Sequence, residues 1–304
     1  MSNSTPCDPR FAGISFSGKP SPRYPAIRES FLPGFRPPVP LPPERVEEDR
    51  TSPEAVFLCT TIRSAGLDPS RYRMAPMLRR LPACLRALRV TTPREASALL
   101  REDPRHLQAA LDALLIGATS FFRDEAVFEH LDSVVIPTLL ARSPHPRVWS
   151  AACSDGSELY SVAMLFSRHH RLAEDQFLGS DYRARAVATA SHGVYAAEAM
   201  AGVPADLAER FTVQDRGTLK MKDELRIATR WQCRDLLTGS FPGSCDLILC
   251  RNLAIYLAIP TAEILWQRLV CALAPGGFLV VGRAEKPQLP GLKCVAPCIY
   301  RKTS

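Results

Sequence analysis

The chain has 304 residues, of which 46% are hydrophobic, and this is enough for one large domain with a sizeable core and a smaller domain beside it. Its formal net charge of +7 favours an acidic partner, which could be a nucleic acid, a membrane or a protein. No apolar run approaches the roughly 18 residues of a membrane span, and the amino terminus lacks the positively flanked apolar segment of a secretory signal. We therefore expect a cytoplasmic protein.

The ten cysteines do not have the spacing of a metal site or of a disulfide framework, since no C-x-x-C pair occurs. Cys153, Cys250 and Cys271 lie in apolar stretches, where cysteine acts as a small hydrophobe. The sequence therefore predicts free thiols in a reducing compartment and no bound metal.

Residues 1–52 hold eleven of the 27 prolines. This composition predicts a disordered leader, and a polyproline ligand for an aromatic-lined groove is the alternative.

Residues 53–120 predict a small all-helical domain. The leucines at 78, 81, 85 and 88 recur at helical spacing and predict one apolar stripe. Pro82 interrupts this pattern, so we expect two short helices or a kink there. Between positions 71 and 101 there are eight arginines and one acid, which indicates either a solvated helix face or a docking surface for an acidic partner, with Arg79, Arg80 and Arg86 as the docking residues. The cluster lacks the interleaved aromatics of a base-stacking platform, so we do not expect nucleic acid as the partner.

Residues 121–304 alternate strand-like and helical runs, which predicts a mainly parallel α/β sheet with helices on both faces. The predicted strands are 148–152, 176–180, 246–249 and 278–281, and the predicted helices are 157–169, 184–192 and 261–274. Pro275-Gly276-Gly277 is expected to end the last helix, and 294–301 to form a final edge strand. Between about 195 and 236, short alternating pieces such as 211–214 and 225–231 predict a small antiparallel insert.

Residues 147–166 predict a buried strand, a polar turn around Gly156 and then a helix, which is how an α/β sheet builds a nucleotide-sized pocket. Asp181 ends the next apolar run, and a carboxylate at that place can accept both hydroxyls of a ribose. This pair of features predicts an adenosine-type ligand.

Two further motifs carry candidate site residues. In Thr119-Ser120-Phe121-Phe122-Arg123-Asp124, the arginine can bind a ligand carboxylate in a bidentate manner, or it can be a surface residue beside a helix cap. In the run 250–257 after a predicted strand, Asn252 and Tyr256 would face the same crevice, unless they are a loop Asn and a core Tyr.

In chain order, the strings FFRD, C-S-x-G-x-E-x-Y-S, G-S-D, D-L-I-L-C-R-N-x-x-I-Y and L-A-P-G-G resemble the CheR family, the methyltransferases of bacterial chemotaxis receptors. The resemblance runs from about 54 to 301 and implies a Rossmann-like class I methyltransferase fold with S-adenosylmethionine as cofactor. It implies methyl ester formation on glutamate side chains of the cytoplasmic helical bundle of chemoreceptors. We expect a monomer.

The resemblance also implies roles for individual residues. Thr119 and Arg123 would contact the methionine end of the cofactor, Glu158 would lie near its amino group, and Asp181 would hold the ribose. The remaining residues are Asp235 and Leu236 beside the adenine, Asn252 and Leu253 on the methyl-donor side, and Tyr256 close to the transferred methyl. Arg123 and Tyr256 are thus the candidate catalytic residues.

The chain departs from the family pattern at several positions. It has Gly156-Ser157-Glu158-Leu159 where G-E-E-P is usual, Tyr182-Arg183 where I-D is usual, Gly282-Arg283-Ala284-Glu285 where G-H-S-E is usual, and Gly117 where Asn is frequent. Two other readings stay open: a methyltransferase of the same fold with another acceptor, and a non-catalytic relative that binds cofactor or receptor.

Overall fold

The computed structural model describes residues 50–115, 119–170 and 172–303. Residues 1–49 of the predicted leader, and Gly117, lie outside the described residues. Within the described part of the chain, no helix combines the length and the apolar character needed to cross a lipid bilayer.

The described residues form eleven α-helices, several single turns and two sheets. The helices are Pro53–Ser64 (α1), Met74–Leu88 (α2), Pro93–Glu102 (α3), Leu107–Leu115 (α4), Glu125–His130 (α5), Ile136–Leu140 (α6), Ser157–Arg168 (α7), Ala184–His192 (α8), Ala205–Phe211 (α9), Asp223–Ala228 (α10) and Ile259–Ala272 (α11). A π-helical turn, Leu131–Val135, joins α5 to α6. The short 3-10 turns are Pro69–Arg71, Pro104–His106, Ala197–Met200 and Ala254–Tyr256.

The strands are Val148–Ala151 (β1), Phe177–Asp181 (β2), Val194–Ala196 (β3), Thr212–Asp215 (β4), Thr218–Met221 (β5), Thr229–Cys233 (β6), Cys245–Cys250 (β7), Leu273–Val281 (β8), Leu292–Ala296 (β9) and Ile299–Lys302 (β10). The main sheet has the order β6-β2-β1-β7-β8-β10-β9. The first five strands in this order, β6, β2, β1, β7 and β8, are parallel to one another. Strands β3, β5 and β4 form a separate antiparallel sheet. The predicted α/β architecture with a small insert is therefore confirmed.

Alternate residues of the main sheet face two different cores, because successive side chains of a strand point to opposite faces. On β7, Ile248 packs with the amino-terminal helices and α11, whereas Leu247 and Leu249 pack with α7 and the insert. Helices therefore cover both faces, and the buried parallel strands have the nearly continuous apolar sequences that such burial favours.

Helix α2 runs unbroken through Pro82, so the expectation of two short helices is wrong. Pro82 lies on the exposed side, while Leu81, Cys84 and Leu88 are buried. The packing of this apolar stripe outweighs the cost of about 3 kcal/mol that an interior proline carries.

Three other expectations require correction. Residues 225–231 do not belong to the insert, since they form α10 and the beginning of β6, which pairs with β2 in the main sheet. Residues 294–301 are not one edge strand but most of the hairpin β9–β10, whose outer strand is β9. Helix α11 ends at Ala272, before Pro275-Gly276-Gly277, because Leu273 already has extended backbone and begins β8.

Candidate functional site

A cleft lies at the carboxyl edge of the parallel strands, where the loops after β1, β2, β6 and β7 meet. Its walls border about 1030 Å³ of empty space, which includes the open solvent at its mouth. Nine of the predicted site residues line it: Thr119, Arg123, Glu158, Asp181, Asp235, Leu236, Asn252, Leu253 and Tyr256. Because parallel strands end at the same edge of a sheet, residues far apart in sequence meet there.

Asp181, the last residue of β2, is buried and hydrogen-bonded to its neighbours. Its Oδ2 accepts a hydrogen bond from Ser154 N at 2.9 Å, and its Oδ1 accepts from Arg183 N at 2.9 Å and from Arg183 Nε at 3.1 Å. Arg183 Nη2 also donates to Ser154 Oγ at 3.0 Å. The predicted ribose acid is therefore held in place by the loop after β1 and by an adjacent guanidinium.

Gly156, the remaining predicted cofactor residue, does not line the cleft but stands at the start of α7 with a φ of +89°. A Cβ atom there would lie 2.7 Å from Ala190 Cβ and 2.7 Å from the Trp231 ring. The glycine therefore lets the chain enter α7 in close contact with α8 and β6, and this shapes the turn formed by residues 153–156.

Glu158, on the first turn of α7, lies in a buried polar network. Its Oε1 accepts from Ser150 Oγ at 2.8 Å, and its Oε2 accepts from Arg251 Nη1 at 3.1 Å. Arg251 Nη2 donates to the carbonyl oxygen of Arg123 at 3.0 Å and also to the carboxylate of Asp124. Arg251 thus joins α7 to the loop that carries Arg123.

The string 119–124 is anchored on α7 by two side-chain contacts. Thr119 Oγ1 lies 2.9 Å from Ser157 Oγ, and Phe122 N donates to Ser161 Oγ at 3.0 Å. Phe121 is buried and packs edge-on against Tyr195 of the insert, with ring centroids 4.9 Å apart. These contacts place Arg123 at the wall of the cleft.

Asp235 and Leu236 form the wall after β6. Asp235 accepts from Leu237 N at 2.8 Å and from Thr238 Oγ1 at 2.6 Å, so its carboxylate closes a local turn. Leu236 is buried, and its carbonyl oxygen accepts from Arg268 Nη1 at 2.7 Å. Desolvation lowers the pKa of the neighbouring Arg234, which also lines the cleft.

Asn252 follows β7 and has a φ of +61°, in the left-handed region. The buried carboxylate of Glu285 accepts from Asn252 N at 2.9 Å and from Ala254 N at 2.7 Å. Burial raises the pKa of Glu285, and the backbone N–H groups that it accepts oppose this rise. Asn252 and Leu253 therefore lie on a loop whose backbone is tied to a residue after β8.

Tyr256 ends the 3-10 turn after this loop and faces the amino-terminal helices. Its carbonyl oxygen accepts from Arg73 N at 2.9 Å, and the adjacent Leu257 forms an antiparallel bridge with Tyr72. Tyr72 itself lines the cleft, so the segment before α2 closes one side of it.

The predicted docking arginines lie on α2, outside the cleft. Arg79 and Arg86 are exposed, whereas Arg80 is half-buried. Since α2 begins two residues after Tyr72, its amino-terminal end lies beside the cleft. With a rise of 1.5 Å per residue, Arg79 and Arg86 are about 10 Å apart along the helix axis.

Sequence reasoning missed several residues that complete the site: Tyr72, Ser154, Tyr182, Arg183, Arg251 and Glu285. Arg251 and Ser154 adjoin predicted residues within the same strings, so position after a strand could have indicated them. The roles of Arg183 and Glu285 depend on which backbone and side-chain groups face them, and no local pattern shows this.

Comparison with known proteins agrees with this geometry. The family model described as "CheR methyltransferase, SAM binding domain" matches residues 117–295, more than half of the chain. The chemotaxis protein methyltransferase of Listeria innocua is 30% identical over 245 residues, which cover 79% of this chain and 94% of that protein. Chemotaxis protein methyltransferase 2 of Pseudomonas aeruginosa is 31% identical over 231 residues, which cover 73% and 82% respectively. The chain is therefore a member of the CheR family of methyltransferases, with S-adenosylmethionine as its cofactor.

Proposed function

We propose that the chain transfers a methyl group to glutamate carboxylates of chemoreceptors and forms glutamate methyl esters. The observation that carries this proposal is the convergence of nine sequence-predicted residues, from five separate segments, on one cleft at the carboxyl edge of the sheet. The names of the relatives, chemotaxis protein methyltransferases, support the receptor as the acceptor.

The side chains of the cleft fit the parts of S-adenosylmethionine. Asp181 offers an ionic acceptor for the ribose hydroxyls, and Leu236 offers an apolar surface with Asp235 beside it for the adenine. Thr119 and Arg123 would hold the methionine carboxylate, because a guanidinium binds a carboxylate in a bidentate manner. Glu158 would attract the cofactor's ammonium group, and Asn252, Leu253 and Tyr256 would surround the methyl-donor side.

The chemistry requires no general base from the protein. A glutamate carboxylate has a reference pKa near 4.3 and is already a nucleophile at neutral pH. When bound, S-adenosylmethionine supplies an electrophilic methyl group on its sulfonium. The residues of the chain would align the two reactants and exclude water, and such orientation alone can lower a barrier by roughly 7–11 kcal/mol.

The acceptor would approach along α2. The exposed Arg79 and Arg86 lie seven residues apart on one face of α2 and form a basic track that starts beside the cleft, and the half-buried Arg80 adjoins Arg79. An acidic helical bundle lying on this track would bring a carboxylate to Tyr256, and long-range attraction between opposite charges would speed its association.

The test is methyl transfer from labelled S-adenosylmethionine to purified cytoplasmic fragments of chemoreceptors. We expect label that is released by mild base, as a methyl ester is. We also expect the double variant Arg79→Ala/Arg86→Ala to raise the apparent KM for the receptor. The matched control Arg94→Ala/Arg101→Ala removes the same charge from exposed positions of α3 and should leave this KM unchanged. Absence of base-labile label with every receptor fragment would refute the proposal.

A further inference from the structure

We infer that Glu285 is a positioning residue for the methyl-donor side of the cleft, because its carboxylate holds the backbone of the loop that carries Asn252, Leu253 and Tyr256. This inference rests on the proposed function, in which that loop faces the reacting groups. Glu285 itself does not line the cleft, and it acts through the backbone of residues that do.

The Glu285 carboxylate gathers three backbone N–H groups from two different loops. Oε2 accepts from Asn252 N at 2.9 Å and from Gly282 N at 2.6 Å, while Oε1 accepts from Ala254 N at 2.7 Å. Only 5% of the residue is exposed, so water cannot replace these bonds. Buried backbone N–H groups without an acceptor are rare and costly, which makes this single carboxylate important for the local backbone.

These three N–H groups lie where the sheet stops supplying acceptors. The pairing of β7 with β8 ends at Cys250 and Val281, immediately before the loops that contain Asn252 and Gly282. Beyond the last residue pair of β7 and β8, the carboxylate therefore replaces the strand carbonyls as hydrogen-bond acceptor and keeps the two loops side by side. Ion-to-amide hydrogen bonds are stronger than neutral ones, which suits this task.

The lack of a side chain at Gly282 makes room for this arrangement. A Cβ atom at this position would lie 2.8 Å from Glu285 Oε2, 2.6 Å from Asn252 Nδ2 and 3.0 Å from Asn252 N. Any larger residue would thus push the carboxylate or the Asn252 loop out of place. Gly282 and Glu285 together therefore determine how closely the Asn252 loop approaches the end of β8.

The consequence for the cleft follows from chain connectivity. Asn252 has left-handed backbone, and the next residues make the 3-10 turn that ends at Tyr256. Tyr256 and Leu257 then bond to the segment before α2. Loss of the carboxylate at 285 would leave the backbone of residues 252–254 without these hydrogen bonds. The side chains of Asn252, Leu253 and Tyr256 would then no longer be held in place in the cleft wall.

The experiment compares Glu285→Gln with Asp246→Asn. Gln has the same shape as Glu, but its NH2 group would face backbone N–H donors. Asp246 also accepts a backbone N–H, from Arg147 at 2.8 Å, but at the opposite end of β7, and it controls for the loss of a carboxylate beside the same strand. We expect Glu285→Gln to weaken binding of S-adenosylhomocysteine by roughly tenfold or more in calorimetry, and Asp246→Asn to change it by less than about twofold.

Hydrogen exchange provides a readout that does not need the cofactor. In Glu285→Gln, amides of residues 252–256 should exchange faster than in the wild type, whereas in Asp246→Asn they should not. Should Glu285→Gln fail to fold, Glu285→Asp keeps the charge on a side chain one methylene shorter, and we expect it to show the same two effects at smaller size. Wild-type affinity and wild-type exchange in a folded Glu285 variant would overturn the inference. Failure of the wild type to bind S-adenosylhomocysteine would instead count against the proposed function, and the exchange data would still decide the role of Glu285.

Discussion

Arg183 and Asp181 form a buried ion pair at the end of β2, with Arg183 Nε 3.1 Å from Asp181 Oδ1 and 8% of each side chain exposed. The same carboxylate accepts two backbone N–H groups, so most of its acceptor capacity is already used inside the protein. The orientation of this carboxylate is therefore fixed before any ligand binds. Arg183 stands where the family pattern usually has a second acid, and in this chain a guanidinium performs the fixing.

The pair predicts a strong coupling between the two positions. Asp181→Ala should weaken binding of S-adenosylhomocysteine at least roughly tenfold, because a hydrogen bond to a charged group is worth about 1.5–3 kcal/mol. It should also destabilise the fold by about 3–5 kcal/mol, because it leaves the Arg183 guanidinium buried without its counter-ion. Calorimetry and urea unfolding measure the two effects.

The double-mutant cycle tests the coupling. Arg183→Ala should reduce the affinity for S-adenosylhomocysteine less than Asp181→Ala does, since the acid remains, and Asp181→Ala/Arg183→Ala should be more stable than Asp181→Ala alone. Additive stability losses in this cycle would contradict the coupling.

Substitution of Gly156 should reduce the free energy of unfolding for two separable reasons, a steric one and a conformational one. Gly156→Ala combines left-handed backbone, which costs roughly 1–2 kcal/mol, with overpacking against Ala190 and Trp231, which costs about 1–3 kcal/mol more. Gly217 has a similar φ of +83°, but no atom lies within 4 Å of a Cβ added there, so only the first cost applies to Gly217→Ala. Urea unfolding of both variants should give the larger loss for Gly156→Ala, and equal losses would show that the close contact is not important.

Tyr182 predicts a link between the cleft and the amino-terminal helices. Its hydroxyl donates to the carbonyl oxygen of Ala65, at the end of α1, at 2.8 Å. Tyr182→Phe should cost about 0.5–1.5 kcal/mol and should speed hydrogen exchange at the end of α1. Tyr160→Phe removes a similar bond, to the Ala190 carbonyl at 2.9 Å, within the sheet domain and serves as the control. Faster exchange at α1 in both variants would mean that the Tyr182 bond has no specific local role.

The cysteines predict a graded reactivity toward iodoacetamide. Burial raises the pKa of Cys245 to about 12 and that of Cys84 to about 11, so little reactive thiolate exists at mildly alkaline pH, and both thiols are also inaccessible. Cys294 is exposed on β9. Pulse alkylation followed by peptide mass spectrometry should label Cys294 quickly and leave Cys84 and Cys245 unlabelled until denaturant is added. Labelling of Cys245 in the native protein would show that β7 opens far more readily than its burial indicates.

Particular residues show how far the sequence leads. The apolar runs around Trp149, Leu178 and Ile248 indicated buried parallel strands, and the polar residues directly after each run were therefore expected at one edge. Asp181 and Asn252 line one cleft, as expected. The first residues of β6 were assigned to the insert because this sequence, with Arg230 and Gln232, belongs to a half-buried sheet edge and lacks the continuous apolar pattern of the central strands.

The sequence by itself determined the central strands β1, β2, β7 and β8, the helices α7, α8 and α11 that follow three of them, the edge at which the cleft forms and the family to which the chain belongs, because periodicity and short motifs are local properties. Only the tertiary structure decided the partners: Arg251 with Glu158 across 93 positions, Glu285 with the backbone of Asn252 across 33, and Gly156 against Trp231. Such contacts depend on where the chain returns after a long excursion. Burial then forces each polar group to find an acceptor or counter-ion among whatever neighbours the packing has brought to it.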